Sequence, residues 1–471
     1  MMNRLKAALG AVTVGLLAGT SLAHAQEADA DLIKQGEYVA RLGDCVACHT
    51  ALNGQKFAGG LSIKTPIGTI YSTNITPDPT YGIGTYTLQE FDEAVRHGVR
   101  KDGSTLYPAM PYPSFSRMTP EDIKALYAYF MHGVEPVAQK NQAEDITWPL
   151  SMRWPLSIWR TMFAPAPKAF TPAPGTDPEI ARGEYLVTGA GHCGACHTPR
   201  GFAMQEKAFD AAGGPDFLGG GGVIDNWIAP SLRNDPVVGV GRWSEDDLYT
   251  FLKSGRTDHS AVFGGMADVV GWSTQYFTDA DLHAIAKYLK SMPPVPPSRG
   301  DYTYDASTAQ ALDSNSVADN AGAKIYLDQC SACHRNDGGG VARMFPPLAG
   351  NPVVVTDNPT SVAHIVVAGG VLPPTNWAPS AVAMPAYKTI LSDQQIADVV
   401  NFIRSAWGNK APANVTAADI QHLRLDNAPI PTEGWANATA ATATWGLFMP
   451  QPYGAGWTFA PQTHAGVDAA Q

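Results

Sequence analysis

Three short segments of the chain repeat one spacing of reactive side chains: Cys45-Val46-Ala47-Cys48-His49, Cys193-Gly194-Ala195-Cys196-His197 and Cys330-Ser331-Ala332-Cys333-His334. Two thiols separated by two residues lie on one helical turn, where they can form thioether bonds to the two vinyl groups of a haem. The imidazole that follows then sits beneath the iron as an axial ligand. A redox cysteine pair needs no adjacent histidine and belongs in a βαβ setting. A zinc site needs two such motifs within one small domain, whereas these are spread along the whole chain. All six cysteines fall in the motifs, so none is left for the disulfide framework that six cysteines in an exported chain would otherwise suggest. The spacing therefore predicts three covalent haem c groups on Cys45 and Cys48, Cys193 and Cys196, and Cys330 and Cys333. Their irons are held by His49, His197 and His334.

A second axial ligand is expected downstream of each motif. Met110 lies in Tyr107-Pro108-Ala109-Met110-Pro111, Met266 follows Gly264-Gly265, and Met384 precedes Pro385. Each stands in a Pro- or Gly-rich loop shortly before a strongly signalled helix, and this recurrence marks Met110, Met266 and Met384 as the sixth ligands. A thioether favours ferrous over ferric iron and raises the potential. Met118 competes in the first repeat but immediately precedes a helix cap, and Met344 is too close to its own motif to reach across an iron. His97, His259 and His364 are the alternative sixth ligands.

The elements that must hold these groups are helices. Thr119 with Pro120, Thr278, and Ser392 with Gln395 open three of them, with apolar faces at Ile123, Leu126, Tyr127 and Phe130; at Leu282, Ile285, Ala286 and Leu289; and at Ile396, Val399, Val400 and Ile403. Two more begin at Thr87 with Glu90 and at Ser244 with Asp247. Gly36-Glu37-Tyr38, Gly183-Glu184-Tyr185 and Gly322-Ala323-Lys324-Ile325-Tyr326 form a shared lead-in to the motifs, so one domain is present in three copies. The expected fold is mostly α: three tandem cytochrome c-type domains over residues 26–163, 180–292 and 319–408, joined by extended Pro-rich linkers at 164–179 and 293–318. An irregular C-terminal tail at 409–471 follows. Pro230 and Pro347, with Pro66 as a weaker candidate, are expected to offer carbonyls to the ligand histidines. Arg200 is a candidate partner for a haem propionate.

Residues 1–25 read as an export signal: Arg4 and Lys6, an apolar run from Ala7 to Leu22, then Ala23-His24-Ala25. Their removal takes away two positive charges and no acid, moving the net charge from −11 to −13. So acidic a chain is unsuited to nucleic acid. No apolar run of about 20 residues follows, so no spanning helix is expected. The segment from Trp148 to Phe163 mixes aromatics with Arg153 and Arg160 and suits a membrane interface, a partner subunit or packing between domains. The tail carries Trp435, Trp445, Phe448, Met449, Tyr453, Trp457 and Phe459, too dense an aromatic content for a disordered tail.

Longer segments carry a family resemblance: Gly36-Glu37-Tyr38-Val39-Ala40-Arg41, Tyr71-Ser72-Thr73-Asn74-Ile75-Thr76-Pro77-Asp78, Tyr107-Pro108-Ala109-Met110-Pro111-Tyr112, Gly191-His192-Cys193, His197-Thr198-Pro199-Arg200-Gly201 and Met449-Pro450-Gln451-Pro452-Tyr453-Gly454. The chain resembles the three-haem cytochrome c subunit of membrane-bound quinoprotein alcohol dehydrogenases. The resemblance implies a dehydrogenase partner subunit holding pyrroloquinoline quinone and its own haem c, with room for a small third subunit. It implies electron transfer to ubiquinone, with the chain attached peripherally to the periplasmic side of the cytoplasmic membrane. Equivalent subunits serve aldehyde, gluconate and sorbitol dehydrogenases, and a free periplasmic electron shuttle is a further alternative. No catalytic residue is expected on this chain, because a haem enzyme such as a peroxidase needs a repeat without its methionine.

Overall fold

A computed structural model describes residues 29–295, 300–317 and 319–426. The segment read as an export signal and the aromatic residues of the tail lie outside them. Each repeat opens with a lead-in helix (29–42, Pro178–Thr188 and Ala321–Gln329), turns through a one-turn haem motif, and ends on a closing helix (Pro120–His132, Asp279–Ser291 and Asp393–Ser405). The closing helices begin where local chemistry dictates. Thr119 accepts from the Asp122 amide with Pro120 in the first turn, Thr278 accepts from Asp281, and Ser392 with Gln395 closes a reciprocal capping box. Thr87 with Glu90 and Ser244 with Asp247 form capping boxes as well. Behind each cap the apolar face is buried, including Ile123, Leu126 and Phe130 in the first repeat and Ile396, Val399, Val400 and Ile403 in the third. Each such side chain contributes roughly 1.5–3 kcal/mol when fully buried.

Lead-in and closing helices cross at the glycine of the shared lead-in. A Cβ on Gly36 would lie 1.9 Å from the Ala125 carbonyl oxygen, one on Gly183 2.0 Å from that of Ala284, and one on Gly322 2.2 Å from that of Asp398. No side chain fits, so the glycine sets how closely the two helices approach.

The first two repeats share one hydrophobic core, while the third has its own around Trp407, Tyr326 and Ile396. The second and third repeats meet where Trp227 packs on His364 at 4.6 Å and the Ile228 amide donates to Ser361 Oγ at 2.8 Å. There Arg256 also donates to the carbonyls of Ala378 and Ser380 at 3.0 and 2.6 Å. Strands are few. A three-stranded antiparallel sheet joins Ser62–Thr65, Gly68–Tyr71 and Asp145–Ile146, and the other two are two-residue hairpins.

The segments read as linkers are held to the domains. The amides of Lys168 and Phe170 donate to the carbonyls of Ser116 and Arg117 at 3.0 and 2.9 Å. In the second linker, Ser307–Asp313 is a helix that buries Leu312, with Val317 buried beyond it, so its polar half folds onto the third domain. The tail also starts ordered. Arg404, fully buried, donates to the carbonyls of Val354, Thr356, Asp357 and Pro412, and the helix Ala417–Asp426 buries Ile420 and Leu423 beside it.

Gly322→Ala is expected to force the third crossing apart and to cost at least about 3 kcal/mol, the upper range for overpacking. The readout is the thermal unfolding midpoint by circular dichroism. A midpoint equal to that of the parent chain would show that the crossing tolerates a Cβ.

Candidate haem sites

The three imidazoles predicted as ligands share one arrangement. His49 directly follows a one-turn helix (Cys45–Cys48), and His197 and His334 end theirs (Gly194–His197 and Ser331–His334). Each ring directs Nδ1 at a backbone carbonyl: His49 at Thr73 (2.7 Å), His197 at Pro230 (2.7 Å) and His334 at Pro346 (3.0 Å). Burial pushes all three below the usual histidine pKa, outweighing the opposite effect of those hydrogen bonds. The rings are therefore neutral, and with a carbonyl accepting at Nδ1 the proton sits there. The Nε2 lone pair is left free for a metal. Cys45, Cys193, Cys196 and Cys330 are partly buried, while Cys48 and Cys333 reach the surface. Among the described residues no three His, Cys, Asp or Glu side chains converge as a metal cluster.

Two of the three expected carbonyls differ. Pro66 lies exposed in the turn between strands 62–65 and 68–71, and the hairpin instead delivers Thr73 to His49. In the third repeat the carbonyl is that of Pro346, while the Pro347 carbonyl accepts from Asn351 at 2.9 Å. Only Pro230 is as expected.

Met110 packs, partly buried, against the core that also receives Cys45 and Cys193, just before the short helix Tyr112–Phe115. Met266 stands in the turn Gly265–Asp268, entered through Gly264 at φ 59°. Met384 lies in the strand Ala383–Met384, paired with Gly370–Val371, and packs against the core that receives Cys330. The competitors have other occupations. Met118 is a core residue 1% exposed, and Met344 is 48% exposed. His97 lies 3.6 Å from Glu93. His259 stacks on Trp243 and sits 3.3 Å from Asp247, and His364 packs on Trp227.

Arg200 turns back on its own loop, donating to the carbonyls of Met204 (3.1 Å) and Ala195. Glu206, which the sequence gave no reason to select, is buried behind the second motif with Oε2 unpartnered and 2.6 Å from where a Cβ of Gly194 would be. Burial raises its pKa to about 7, with Arg200 partly opposing. Tyr112 Oη and Trp243 Nε1 are likewise buried without a partner. An unsatisfied buried donor costs about 1–3 kcal/mol, so both suit an acidic ligand group such as a propionate.

A Cys-x-x-Cys-His turn between crossed helices, with a carbonyl-tied imidazole, defines the cytochrome c class, and the cytochrome c family profile matches residues 33–133 and 320–407. More narrowly, the chain belongs to the cytochrome c subunits of quinone alcohol dehydrogenases. It is 74% identical to that subunit of Gluconacetobacter polyoxogenes over 471 residues, the whole of both chains. It is 63% identical to that of Gluconobacter oxydans over 462 residues, 98% of this chain and 96% of the relative. The gluconate 2-dehydrogenase cytochrome c subunit of Pantoea cypripedii is 56% identical over 418 residues, 88% of this chain and 94% of the relative.

Glu206 generates a pH prediction. A carboxyl raised from 4.5 to about 7 binds its proton more tightly when folded. The corresponding stabilisation, about 3 kcal/mol, is present below pH 4.5 and lost as pH rises through 7. Glu206→Gln should flatten stability between pH 5 and pH 8 in denaturant titrations; an unchanged slope would show that Glu206 is not the group responsible.

Proposed function

We propose that this chain receives electrons from a dehydrogenase subunit containing pyrroloquinoline quinone and passes them through three c-type haems to ubiquinone at the periplasmic face of the cytoplasmic membrane. The haems, when bound, supply reversible one-electron chemistry. This chain supplies the ligands, the burial and the docking surfaces. The observation that carries the reading is the threefold repetition of a buried neutral imidazole whose Nδ1 is tied to a carbonyl and whose Nε2 is free. Met110, Met266 and Met384 are proposed as the opposite ligands, closing each iron to small molecules and keeping the potentials high. Tyr112 and Trp243 are proposed to donate to propionates. The proposed domains are 26–163, 180–292 and 319–408, with the third continued by the helix at 417–426.

Membrane attachment is supported by the segment from Trp148 to Phe163. Its helix, Trp154–Phe163, buries no residue, and Trp148 and Trp154 are 77% and 63% exposed. Phe202, 92% exposed, extends the patch through its ring contact with Phe163. Trp159 and Arg160 anchor the helix inward, donating to the carbonyls of Ala203 at 2.8 Å and His97 at 3.3 Å. So large an exposed apolar surface marks an interface rather than a freely diffusing shuttle. Among the described residues no helix is long and apolar enough to cross a membrane. The gluconate relative shows that a similar subunit is used with another substrate, so the identity of the alcohol rests with the partner.

Four measurements test this reading. A haemochrome titration should count three haems per chain, and carbon monoxide should bind the reduced protein only after Met→Ala substitution at position 110, 266 or 384. Alcohol-dependent ubiquinone reduction by the purified complex should be lost without this chain; full retention would defeat the proposal. Replacing Trp154, Ile158 and Met162 together by serine should reduce retention on lipid vesicles at least roughly tenfold, since each buried apolar side chain contributes about 1.5–3 kcal/mol. Unchanged retention would remove this helix from the membrane contact.

A further inference from the structure

The two tyrosines that stand two residues after the crossing glycine, Tyr38 and Tyr185, do not bond within their own domains. Tyr38 Oη donates to Asp281 Oδ2 at 2.6 Å and accepts from the Thr278 amide at 3.0 Å. Tyr185 Oη donates to Asp122 Oδ2 and accepts from the Thr119 amide at 3.4 Å. Thr278 and Asp281 are the cap and third residue of the closing helix of the second domain, and Thr119 and Asp122 hold the same two places in the first. Each domain therefore grips the other at an equivalent point, as in a two-fold isologous interface, but within one chain. The third repeat has Lys324 at this position, and Tyr326 bonds inside its own domain, to the Arg335 carbonyl at 2.6 Å.

The haem motifs obey the same exchange. Phe115, in the helix that follows Met110, packs on His192, next to Cys193, at 5.4 Å. Conversely, the segment after Met266 lies on the first motif: Ser273 Oγ donates to the Arg41 carbonyl at 2.6 Å, and Arg41 donates to the Trp272 carbonyl at 3.1 Å.

We propose that Tyr38 and Tyr185 are positioning residues that clamp the first and second domains into a paired-haem unit, with their attachment motifs face to face and their haems exchanging electrons directly. The third haem stands outside the pair. This rests on the three-haem reading above. In each exchange one iron goes from ferrous to ferric and the other from ferric to ferrous, and no proton or bond is transferred.

The test is stepwise reduction of the full haem-loaded complex, followed optically and by electron paramagnetic resonance, with the third haem assigned by its shift in Met384→His. In the parent protein, reducing one haem of the pair should weaken electron uptake at the other by at least roughly threefold, and the ferric pair should show magnetic interaction. In Tyr38→Phe/Tyr185→Phe that factor should fall towards one while the third midpoint stays fixed; Tyr304→Phe, which loses a bond from the second linker to the Asp337 carbonyl of the third domain, should change neither. Should the double variant fail to assemble, Tyr185→Phe alone, which leaves the Arg182–Asp281 ion pair intact, must at least halve the factor. Three haems titrating independently in the parent overturn the pairing and leave the reading of function standing. A chain lacking haem at the first or second motif overturns both.

Discussion

The structure depends on a hydrogen bond made three times, from a buried imidazole to a backbone carbonyl. Burial alone would leave the proton on either ring nitrogen. A carbonyl within 3.0 Å of Nδ1 holds it there and leaves the other nitrogen free to bind a metal. Each carbonyl comes from a distant loop that must be delivered to within a few tenths of an ångström. The 62–71 hairpin, the loop through Pro230 and the Phe345–Leu348 turn are all placed to do this, from behind a pair of helices locked at a glycine.

The glycine crossings explain how one architecture tolerates three different surroundings. Because lead-in and closing helices touch backbone to backbone, their geometry is set without reference to the side chains outside. Those outer positions have diverged. In the first two domains they build a common core, whereas the third domain surrounds itself with its own linker helix and the start of the tail.

Legibility in the sequence followed range. The helix caps at Thr87, Thr119, Ser244, Thr278 and Ser392 were readable because a hydroxyl and an amide three residues apart settle the matter locally. The Cys-x-x-Cys-His turns were readable for the same reason. The carbonyl partners of His49 and His334 were not, because proline was used as the marker and the hairpin delivers threonine, while in Pro346-Pro347 either residue satisfied the pattern. Gly36, Gly183 and Gly322 were visible as a repeat, but their purpose lies in a helix from the far end of each domain. Glu206 gave no signal, since nothing in a sequence shows that a loop glutamate will be enclosed.

Arg404 has a consequence for everything beyond it. Its guanidinium holds Pro412 and the 354–357 turn together inside the third domain, so the chain leaves from a fixed origin on that domain. The helix at 417–426 is thereby seated on the third domain, so one buried cation fastens a segment that the haem repeat itself does not include.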